Sequence, residues 1–523
     1  MRCRFLILLL AVVGPGVSAS GAALAAGLGR IRFENSGALE AQEPFLRGVL
    51  LLHSFEYEDA ASAFQEAQGL DPDFALAYWG EAMTHNHPIW QEQDRAAARA
   101  VLERLAPTPE ERLAKASTER ERDYLRAVEI LFGEGEKKSR DFAYLGAMRR
   151  LHARYPEDPE AAAFHALATL GTAHEGRDFA TYMRAAGIVE EVFRQNPEHP
   201  GAVHYLIHSY DDPIHAPLGL RAARVYSKIA PRAAHAQHMT SHIFVALGMW
   251  DEVVAANQTA RDVQDARRAE LGRPANACGH YASWLEYGYL QQGRFEEAAG
   301  LLAACHERIR SGPASQDEKW YFARMRARYV LDTGDWEAAA LAMEGDLSGA
   351  VTAQHTSRFT TAFAALQRGD REIAARLAPE MAALRQQDDS TGLEIGGREL
   401  EAMLLLAEGE PARAVEVLQR AAEQEAAMPF AFGPPPVVKP SWELLGEVLL
   451  ELERPQEAQA AFEAALARAP RRTASLLGLA RAAAAAGDPV SAGEAYGSLW
   501  EIWHRADRIP DEIRRETEKL ASP

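Results

Sequence analysis

Histidines occur at helical spacing in two neighbouring segments of this 523-residue chain. His204 and His208 lie in "GAVHYLIHSY", and His235, His238 and His242 lie in "AAHAQHMTSHIF". An i, i+4 spacing and an i, i+3, i+7 spacing each place side chains on one face of a helix. Clustered imidazoles bind transition metals, exchange hydrogen bonds and titrate near neutral pH, so these two stripes are the first candidates for chemistry.

Two pairs of these histidines repeat at the same interval. His204 and His238 are 34 residues apart, and so are His208 and His242. A repeated interval of this kind indicates matched positions on neighbouring copies of one structural unit. Helices that pack about 8–10 Å apart bring facing imidazoles close enough to share an ion, with Zn–N distances of about 2.1 Å.

The stripes therefore provide a candidate set of metal ligands, in which His280 takes the place of His235 one unit later. The candidate ligands are His204, His208, His235, His238, His242 and His280. Candidates for a supporting or additional role are Asp211, Asp212, His215, His85 and His87. We expect His85 and His87 at the end of another first helix, several repeats away. A purely imidazole set suits zinc and copper equally, and the nearby Met239 would suit Cu(I).

Other interpretations of the histidines remain open from the sequence. A histidine-rich groove can bind a peptide by hydrogen bonding and stacking without any metal. Aromatic residues that could join such a groove are Tyr205, Tyr210, Trp284 and Tyr287. The histidines could also be buried parts of a purely structural array, and His53 is expected to be a packing residue. "HYLIH" lacks the catalytic glutamate of the zincin pattern H-E-x-x-H, because Tyr205 follows its first histidine, so it is not a protease motif.

The elements that position the histidines are predicted to be repeated helix pairs. In "SWELLGEVLLELERPQEAQAAFEAALARAP", the residues Trp442, Leu445, Gly446, Leu449, Ala458, Phe462, Ala465 and Pro470 reproduce the pattern of the tetratricopeptide repeat (TPR). The residues Gly48, Leu51, Ala60, Phe64, Ala67 and Pro72 fall in the same register near the start of the chain. Neither helix of such a unit can bury its apolar face alone, so the pattern predicts an all-α fold, an α-solenoid of antiparallel helix pairs.

Weaker copies of the unit fill most of the remaining chain. They have a glycine at the predicted turn and an aromatic residue just after it, as in Gly248 with Trp250, Gly293 with Phe295, and Gly334 with Trp336. The predicted parts are an N-terminal linker 26–41, an N-terminal solenoid 42–270 with an irregular insertion 102–142, middle repeats 276–427, a Pro-rich connector 428–440 and C-terminal repeats 441–510. Three consecutive prolines exclude a helix in the connector, which we expect to be a stiff spacer rather than a lid over the groove.

Cys278 and Cys305 flank one predicted helix pair, so their side chains could meet. A disulfide is one possibility, because antiparallel helices bring these ends together. Buried thiols are the second possibility, and Cys278 as a soft metal ligand beside His280 is the third.

Charge and the N-terminus predict the compartment and exclude classes of partner. Residues 1–25 have the basic, apolar and small-residue regions of a secretory signal peptide, which predicts export to the periplasm or the cell exterior. The later sequence contains no apolar stretch of about 20 residues, so no membrane span is expected. A formal charge of −19 disfavours nucleic acid as a partner.

Known catalytic templates are missing from the sequence, which has no phosphate-binding glycine loop, no G-x-S-x-G elbow and no zinc-type C-x-x-C pair. We therefore favour a function other than catalysis. The segments "FALAYWGEAMTHNHPIW", "HYLIHSYDDPIHAPLGLRAARVYSKIAP" and "HAQHMTSHIFVALGMWDE" resemble those of a bacterial group of secreted TPR proteins. The resemblance spans nearly the whole mature chain, implies a TPR solenoid and carries over no catalytic residue.

The function expected from the sequence is that of an exported TPR scaffold. It would bind a protein or peptide partner through a histidine-rich concave groove. The alternative is a metal-binding solenoid or metalloenzyme, in which the clustered histidines hold zinc or copper.

Overall fold

The computed structural model describes residues 27–520, so the predicted signal peptide 1–25 lies outside the described residues. Within this part of the chain the structure is almost entirely helical. The α-helices are α1 Gln42–His53, α2 Tyr57–Leu70, α3 Ala75–Met83, α4 Arg95–Leu105, α5 Pro109–Lys115, α6 Glu119–Leu131, α7 Lys137–Arg154, α8 Pro159–Leu170, α9 Phe179–Gln195, α10 Pro200–Tyr210, α11 Ala216–Ile229, α12 Ala234–Leu247, α13 Trp250–Glu270, α14 His280–Gln291, α15 Phe295–Arg310, α16 Gln316–Thr333, α17 Val351–Gln367, α18 Arg371–Arg385, α19 Thr391–Ala407, α20 Pro411–Ala427, α21 Ser441–Glu451, α22 Pro455–Arg468, α23 Thr473–Ala486, α24 Pro489–Ile502 and α25 Asp511–Leu520. Short 3-10 helices cover Leu39–Ala41, Ala339–Ala342 and Trp503–Arg505.

Consecutive helices pack as antiparallel pairs, and the pairs stack into a solenoid. This confirms the predicted fold class. The first helices of three successive pairs, α10, α12 and α14, carry the histidine stripes on their inner faces. None of the described helices is long and apolar enough to cross a membrane.

A phenylalanine between two glycines explains the repeat pattern physically. The ring of Phe64 lies against Gly48 in its own pair and against Gly80 in the next helix, where an added Cβ would come within 2.7 and 2.3 Å of the ring. Near the C-terminus, Phe462 packs in the same way against Gly446 and Gly478. The glycines are required because the aromatic ring takes up the space between helices that cross closely.

Two predicted features of the repeats are wrong. His85 and His87 do not end a helix, because α3 stops at Met83. The chain then forms a short antiparallel hairpin of two strands, Asn86–His87 and Glu92–Gln93, in which Asn86 pairs with Gln93. Pro88, directly after His87, lacks an N–H group and disfavours helical backbone in the residue before it.

The turn at Gly334 is not followed by a second α-helix. Residues 334–350 are irregular apart from the 3-10 turn Ala339–Ala342. The buried side chain of Arg326 donates hydrogen bonds to the carbonyl groups of Ala340 and Leu341, at 2.9 and 2.8 Å. The guanidinium thus satisfies backbone acceptors that an α-helix would have satisfied internally.

The superhelix curls so that its C-terminal repeats contact its middle. The indole N–H of Trp250 donates to the carbonyl of Arg471 at 3.0 Å, and that of Trp503 donates to the carbonyl of Gln291 at 2.9 Å. A buried ionic network, in which Arg472 binds Asp332 and Glu443, crosses the same junction. The chain is therefore more closed than an extended array with an open groove.

Candidate metal centre

Three Nε2 atoms converge between α12 and α14. The Nε2 atom of His238 lies 3.0 Å from that of His242 and 2.9 Å from that of His280. We call His238, His242 and His280 the first trio. Each member offers one nitrogen, and the three nitrogens lie within 4.8 Å of one another.

Hydrogen bonds on the far side of the rings fix the protonation of two members. The Nδ1–H of His238 donates to the side-chain oxygen of Asn257 at 2.7 Å, and the amide nitrogen of Asn257 donates to the Val253 carbonyl. The Nδ1–H of His242 donates to the carboxylate of Asp211 at 2.6 Å. The side-chain oxygen of Asn257 can only accept, so the proton of the neutral His238 ring lies on Nδ1, and its Nε2 lone pair faces the Nε2 atoms of His242 and His280.

A lone pair with two further ring nitrogens at 2.9 and 3.0 Å requires either a proton on one of those nitrogens or a metal ion between them. Hydrogen bonds from histidine to a carboxylate or amide oxygen are also the usual support of metal-ligating imidazoles, since they orient the ring and raise its basicity. The first trio therefore has the donor set, the convergence and the supporting contacts of a three-histidine metal site.

A second group of three imidazoles lies next to the first. His204, His208 and His235, which we call the second trio, also place one nitrogen each within 4.8 Å of one another. The Nδ1–H of His204 donates to the backbone carbonyl of His53 at 2.7 Å, which leaves its Nε2 as a lone pair. The rings of His208 and His242 are 5.9 Å apart between centroids, so the two trios are in contact.

Burial keeps most of these rings neutral at neutral pH. It is the largest cause that lowers the pKa of His204 and of His280 to about 3, and the neighbouring imidazoles lower them further. Burial likewise lowers the pKa of His208, His235 and His238 well below the ordinary value. A neutral imidazole is the form that binds a metal.

The other residues singled out in the sequence divide into supporting and separate groups. Asp211 contacts a trio member directly, whereas Asp212 binds Arg177 at 3.3 Å and His215 at 2.9 Å, outside the trios. His87 stacks on Tyr57 at 4.1 Å between ring centroids and does not enter either trio. The backbone carbonyl of His85 accepts a hydrogen bond from the backbone N–H of Asp94 at 2.9 Å, and the ring of His85 also lies outside both trios.

The sequence did not reveal a third buried cluster beneath the second trio. Glu160 accepts a hydrogen bond from His53 at 2.7 Å and lies 3.2 Å from His199. Burial raises the pKa of Glu160, but the two imidazoles outweigh this effect and hold it at about 2. Because His53 also provides the carbonyl that orients His204, it is a supporting residue rather than only a packing residue.

The histidine face is covered, not open. His204, His208 and His238 have at most 1% of their surface exposed, and the aromatic residues predicted to line the groove are buried as well. The structure therefore does not show a peptide-binding surface formed by these side chains, and such a surface stays a prediction. The α-helices pack too closely there, and the connector 428–440 folds back over them.

The connector lies across the second trio and its surroundings. The ring of Phe432 lies 5.8 Å from that of His208 between centroids, and Gly433 approaches Trp284 so closely that an added Cβ would be 2.1 Å from the indole. Arg324 holds the connector by donating to the carbonyls of Pro435 and Pro436, at 2.7 and 2.8 Å. The segment expected to be a spacer acts as a cover.

Cys278 and Cys305 are joined by a disulfide, with their Cα atoms 4.3 Å apart. The bond ties the loop just before His280 to helix α15. Cys278 is therefore not a metal ligand in this structure.

A cavity of about 570 Å³ adjoins both trios. Its walls include His208, His235, His242 and His280, so members of both trios reach it. Trp90 and Trp320 stand at its outer side, where a shallower depression leads to solvent. Small molecules thus have a route to the imidazoles although the rings are buried.

Comparisons with known proteins support the repeat architecture. Residues 440–472 match the tetratricopeptide repeat. Solved structures that resemble the chain include yeast Tom70 (11% identity, 92% of this chain and 88% of that chain, TM-score 0.29) and a human IFIT1 dimer with m7Gppp-AAAA (13% identity, 94% and 92%, TM-score 0.33). The TPR domain of P58(IPK) is also similar (13% identity, 86% and 99%, TM-score 0.23). No curated protein matches the sequence.

The matched repeat and the stacked helix pairs are those of a protein-interaction scaffold, since solenoids of this kind present extended binding surfaces. The overall superpositions are too loose to carry an argument about what this chain binds. The chemistry of the site has to be argued from its own residues.

Proposed function

We propose that this protein is a metal-binding solenoid that holds zinc or copper on the first trio. The observation that carries the proposal is the convergence of three Nε2 atoms: that of His238 lies 3.0 Å from that of His242 and 2.9 Å from that of His280, and acceptors on the Nδ1 side orient the rings of His238 and His242. Three neutral imidazoles suit zinc and copper. The solenoid supplies rigid helices that keep the ligands in place.

The scaffold role and the metal role fit in one molecule. In this proposal a protein or peptide partner binds the outer surfaces of the repeats, because the histidines are buried under the connector 428–440. Trp90 and Trp320, which are 45% and 37% exposed, offer aromatic anchors at the entrance to the cavity.

Export to an oxidising compartment is part of the same proposal. The disulfide between Cys278 and Cys305 supports it, because such bonds persist mainly outside the cytosol. Cell fractionation and N-terminal sequencing of the mature chain test it, and recovery of an unprocessed cytosolic chain would contradict export.

Metal analysis by mass spectrometry on untagged protein tests the proposed function. We expect one or more equivalents of zinc or copper per chain in protein purified without a chelator, or after titration of chelator-treated protein with either ion. His280→Ala should lower the metal content, and since His280 is the least buried member of the trio, the variant should remain folded.

The matched control is the double variant His152→Ala/His165→Ala, which removes another pair of contacting imidazoles whose Nδ1 atoms are 3.1 Å apart. It should retain the full metal content. A folded wild-type protein that takes up neither ion would overturn the proposal, and so would equal metal loss in the two variants.

A further inference from the structure

We infer that the protein holds a pair of copper ions side by side, one on each trio. The inference rests on the proposed function for the ion of the first trio and adds a second ion on His204, His208 and His235. It is carried by nitrogen atoms of the second trio that have no hydrogen-bond partner among the described residues.

Four ring nitrogens of the second trio are buried and unpartnered. They are Nε2 of His204, both nitrogens of His208 and Nε2 of His235. A buried polar atom without a partner destabilises a fold, so each of these nitrogens calls for one. An ion bound to Nε2 of His204, Nε2 of His235 and one nitrogen of His208 would give three of these four atoms a partner.

Rigid helices hold the two trios next to each other. Helix α12 carries His235 of the second trio and His238 and His242 of the first, so a single helical stripe contributes to both. Ring centroids are 6.0 Å apart between His235 and His238, and 5.9 Å apart between His208 and His242. Two ions on the trios would therefore be close neighbours.

The charge around the trios favours ions of low charge. The ligands are imidazoles, which bring no negative charge. Among the described residues, the carboxylate of Asp211 binds one of their rings and that of Glu56 accepts the backbone N–H of His235 at 2.9 Å. Asp212 is already paired with Arg177. Because isolated charge is costly in a buried site, two Cu(I) ions fit this environment better than two divalent ions.

Counting copper tests the pair. Protein loaded with Cu(I) without oxygen should bind two ions per chain, and His208→Ala should bind one. If His208→Ala unfolds, His235→Ala, at the edge of the trio, gives the same test. One ion in the wild type would overturn the pair while leaving the proposed function intact, and no ion would overturn both.

Electron paramagnetic resonance distinguishes neighbours from separate sites. Wild-type protein loaded with two Cu(I) ions and then fully oxidised with hexacyanoferrate(III) should give the spectrum of two spin-coupled Cu(II) ions, and His208→Ala treated in the same way should give the ordinary signal of one isolated Cu(II). Two uncoupled signals in the wild type would show separate sites and contradict the inference. The His152→Ala/His165→Ala control should keep the coupled spectrum.

A second inference concerns the far wall of the cavity and depends on different residues. We propose that the cavity binds a small organic carboxylate with an apolar body. Arg324 and Arg328 both line it, and the contacts of each are with neutral groups: backbone carbonyls for Arg324 and the hydroxyl of Ser283, at 3.1 Å, for Arg328.

The acids near these guanidinium groups do not neutralise them. Burial is the main cause that raises the pKa of Glu286 and of Glu399 well above the ordinary value, which favours the uncharged form of both groups. Asp332 is bound by Arg472. Arg328 thus remains a buried cation, and arginine recognises carboxylates through paired hydrogen bonds.

The remaining walls are apolar and aromatic. Trp284, Trp320, Phe359 and Phe432 contribute to them, and the volume of about 570 Å³ lies within the usual range for small-molecule sites. A carboxylate at Arg328 would leave the apolar body of the ligand against these rings, on the side of the cavity that leads to the imidazoles.

Calorimetry with 3-phenylpropionate and the uncharged 3-phenylpropanamide tests this second inference. We expect the acid to bind about tenfold tighter or more in wild-type protein. Arg328→Gln should remove the preference, Arg328→Lys should restore part of it, and Arg413→Gln, on the surface, should not change it. Equal binding of acid and amide by wild-type protein would overturn the inference. The same comparison is made on metal-free protein, where the preference for the acid should persist. The result therefore tests the carboxylate site independently of the proposed metal site.

Discussion

The imidazoles of the first trio are oriented by side chains that lie outside the trio. Asp211 and Asn257 hold the Nδ1–H groups of His242 and His238, and they come from the residue after α10 and from the middle of α13. Such partners set both the orientation and the basicity of the ligands. Their replacement therefore affects metal affinity while the donor atoms stay in place.

Asp211→Asn is expected to lower metal affinity about 10–100-fold. The amide has the size of the carboxylate but lacks its charge, so His242 becomes a weaker ligand. Competition with a chromophoric chelator measures the change. Asp317→Asn, an exposed aspartate beside the cavity entrance, is the control and should leave affinity unchanged. Equal affinities of the Asp211→Asn variant and the wild type would show that Asp211 does not support the ligand.

The connector 428–440 decides how readily the trios exchange with solvent. Gly433 has a φ of +77° and lies directly on Trp284, while Trp284 lies 4.5 Å from His242 between ring centroids. A side chain at Gly433 has no room, so the connector would have to lift from the site.

Gly433→Ala is expected to accelerate transfer of bound metal to a chelator in stopped-flow experiments, because the cover no longer closes on Trp284. Gly409→Ala is the matched control: Gly409 has a similar φ of +81°, but an added Cβ would meet nothing within 4 Å. It carries the same backbone strain without the clash. Equal transfer rates in the two variants would show that the connector does not control access.

The close packing of Phe64 between two glycines leads to a prediction about the stability of the fold. Gly80→Ala is expected to destabilise the fold by about 1–3 kcal/mol, since its Cβ would lie 2.3 Å from the Phe64 ring. Gly187→Ala, at an exposed helical glycine with nothing within 4 Å, should instead stabilise it by about 0.5–1 kcal/mol. Urea denaturation measures both. Stabilisation by Gly80→Ala would contradict the close-packing explanation.

At the scale of the whole molecule, the sequence predicted those features that depend on the residues of one helix or one repeat. The glycine and aromatic pattern predicted the solenoid, and the i, i+3, i+7 stripe predicted that His235, His238 and His242 share a face. The division of the histidines into two trios depends on side-chain rotamers and on how three helices pack, which spacing does not determine. The contact of Phe432 with His208 brings together residues more than 200 positions apart in the sequence, and a local sequence pattern cannot predict such a contact.

The closure of the superhelix also depends on contacts between distant segments, and these make the stability of the molecule sensitive to acid. At the junction of middle and C-terminal repeats, Glu443 is fully buried and accepts hydrogen bonds from Arg472 at 2.8 Å and from Lys439 at 3.1 Å. Burial raises the pKa of Glu443, but the two cations outweigh burial and lower it to about 2. A carboxyl group with a lowered pKa stabilises the fold above its unfolded pKa, and this contribution is lost as the pH falls towards the folded pKa.

Glu443→Gln is therefore expected to cost about 3–5 kcal/mol at pH 7, because Arg472 and Lys439 lose a buried counter-charge. The deficit should shrink as the pH falls from about 5 to about 2, where the wild-type carboxylate is progressively protonated. Urea denaturation at several pH values measures the free energy of unfolding of both proteins. The control is Glu457→Gln, which removes an exposed carboxylate paired with Arg454 and should leave the profile close to that of the wild type. A deficit that stays constant from pH 7 to pH 3 would mean that Glu443 contributes through shape alone, and the ionic network would not be what closes the superhelix.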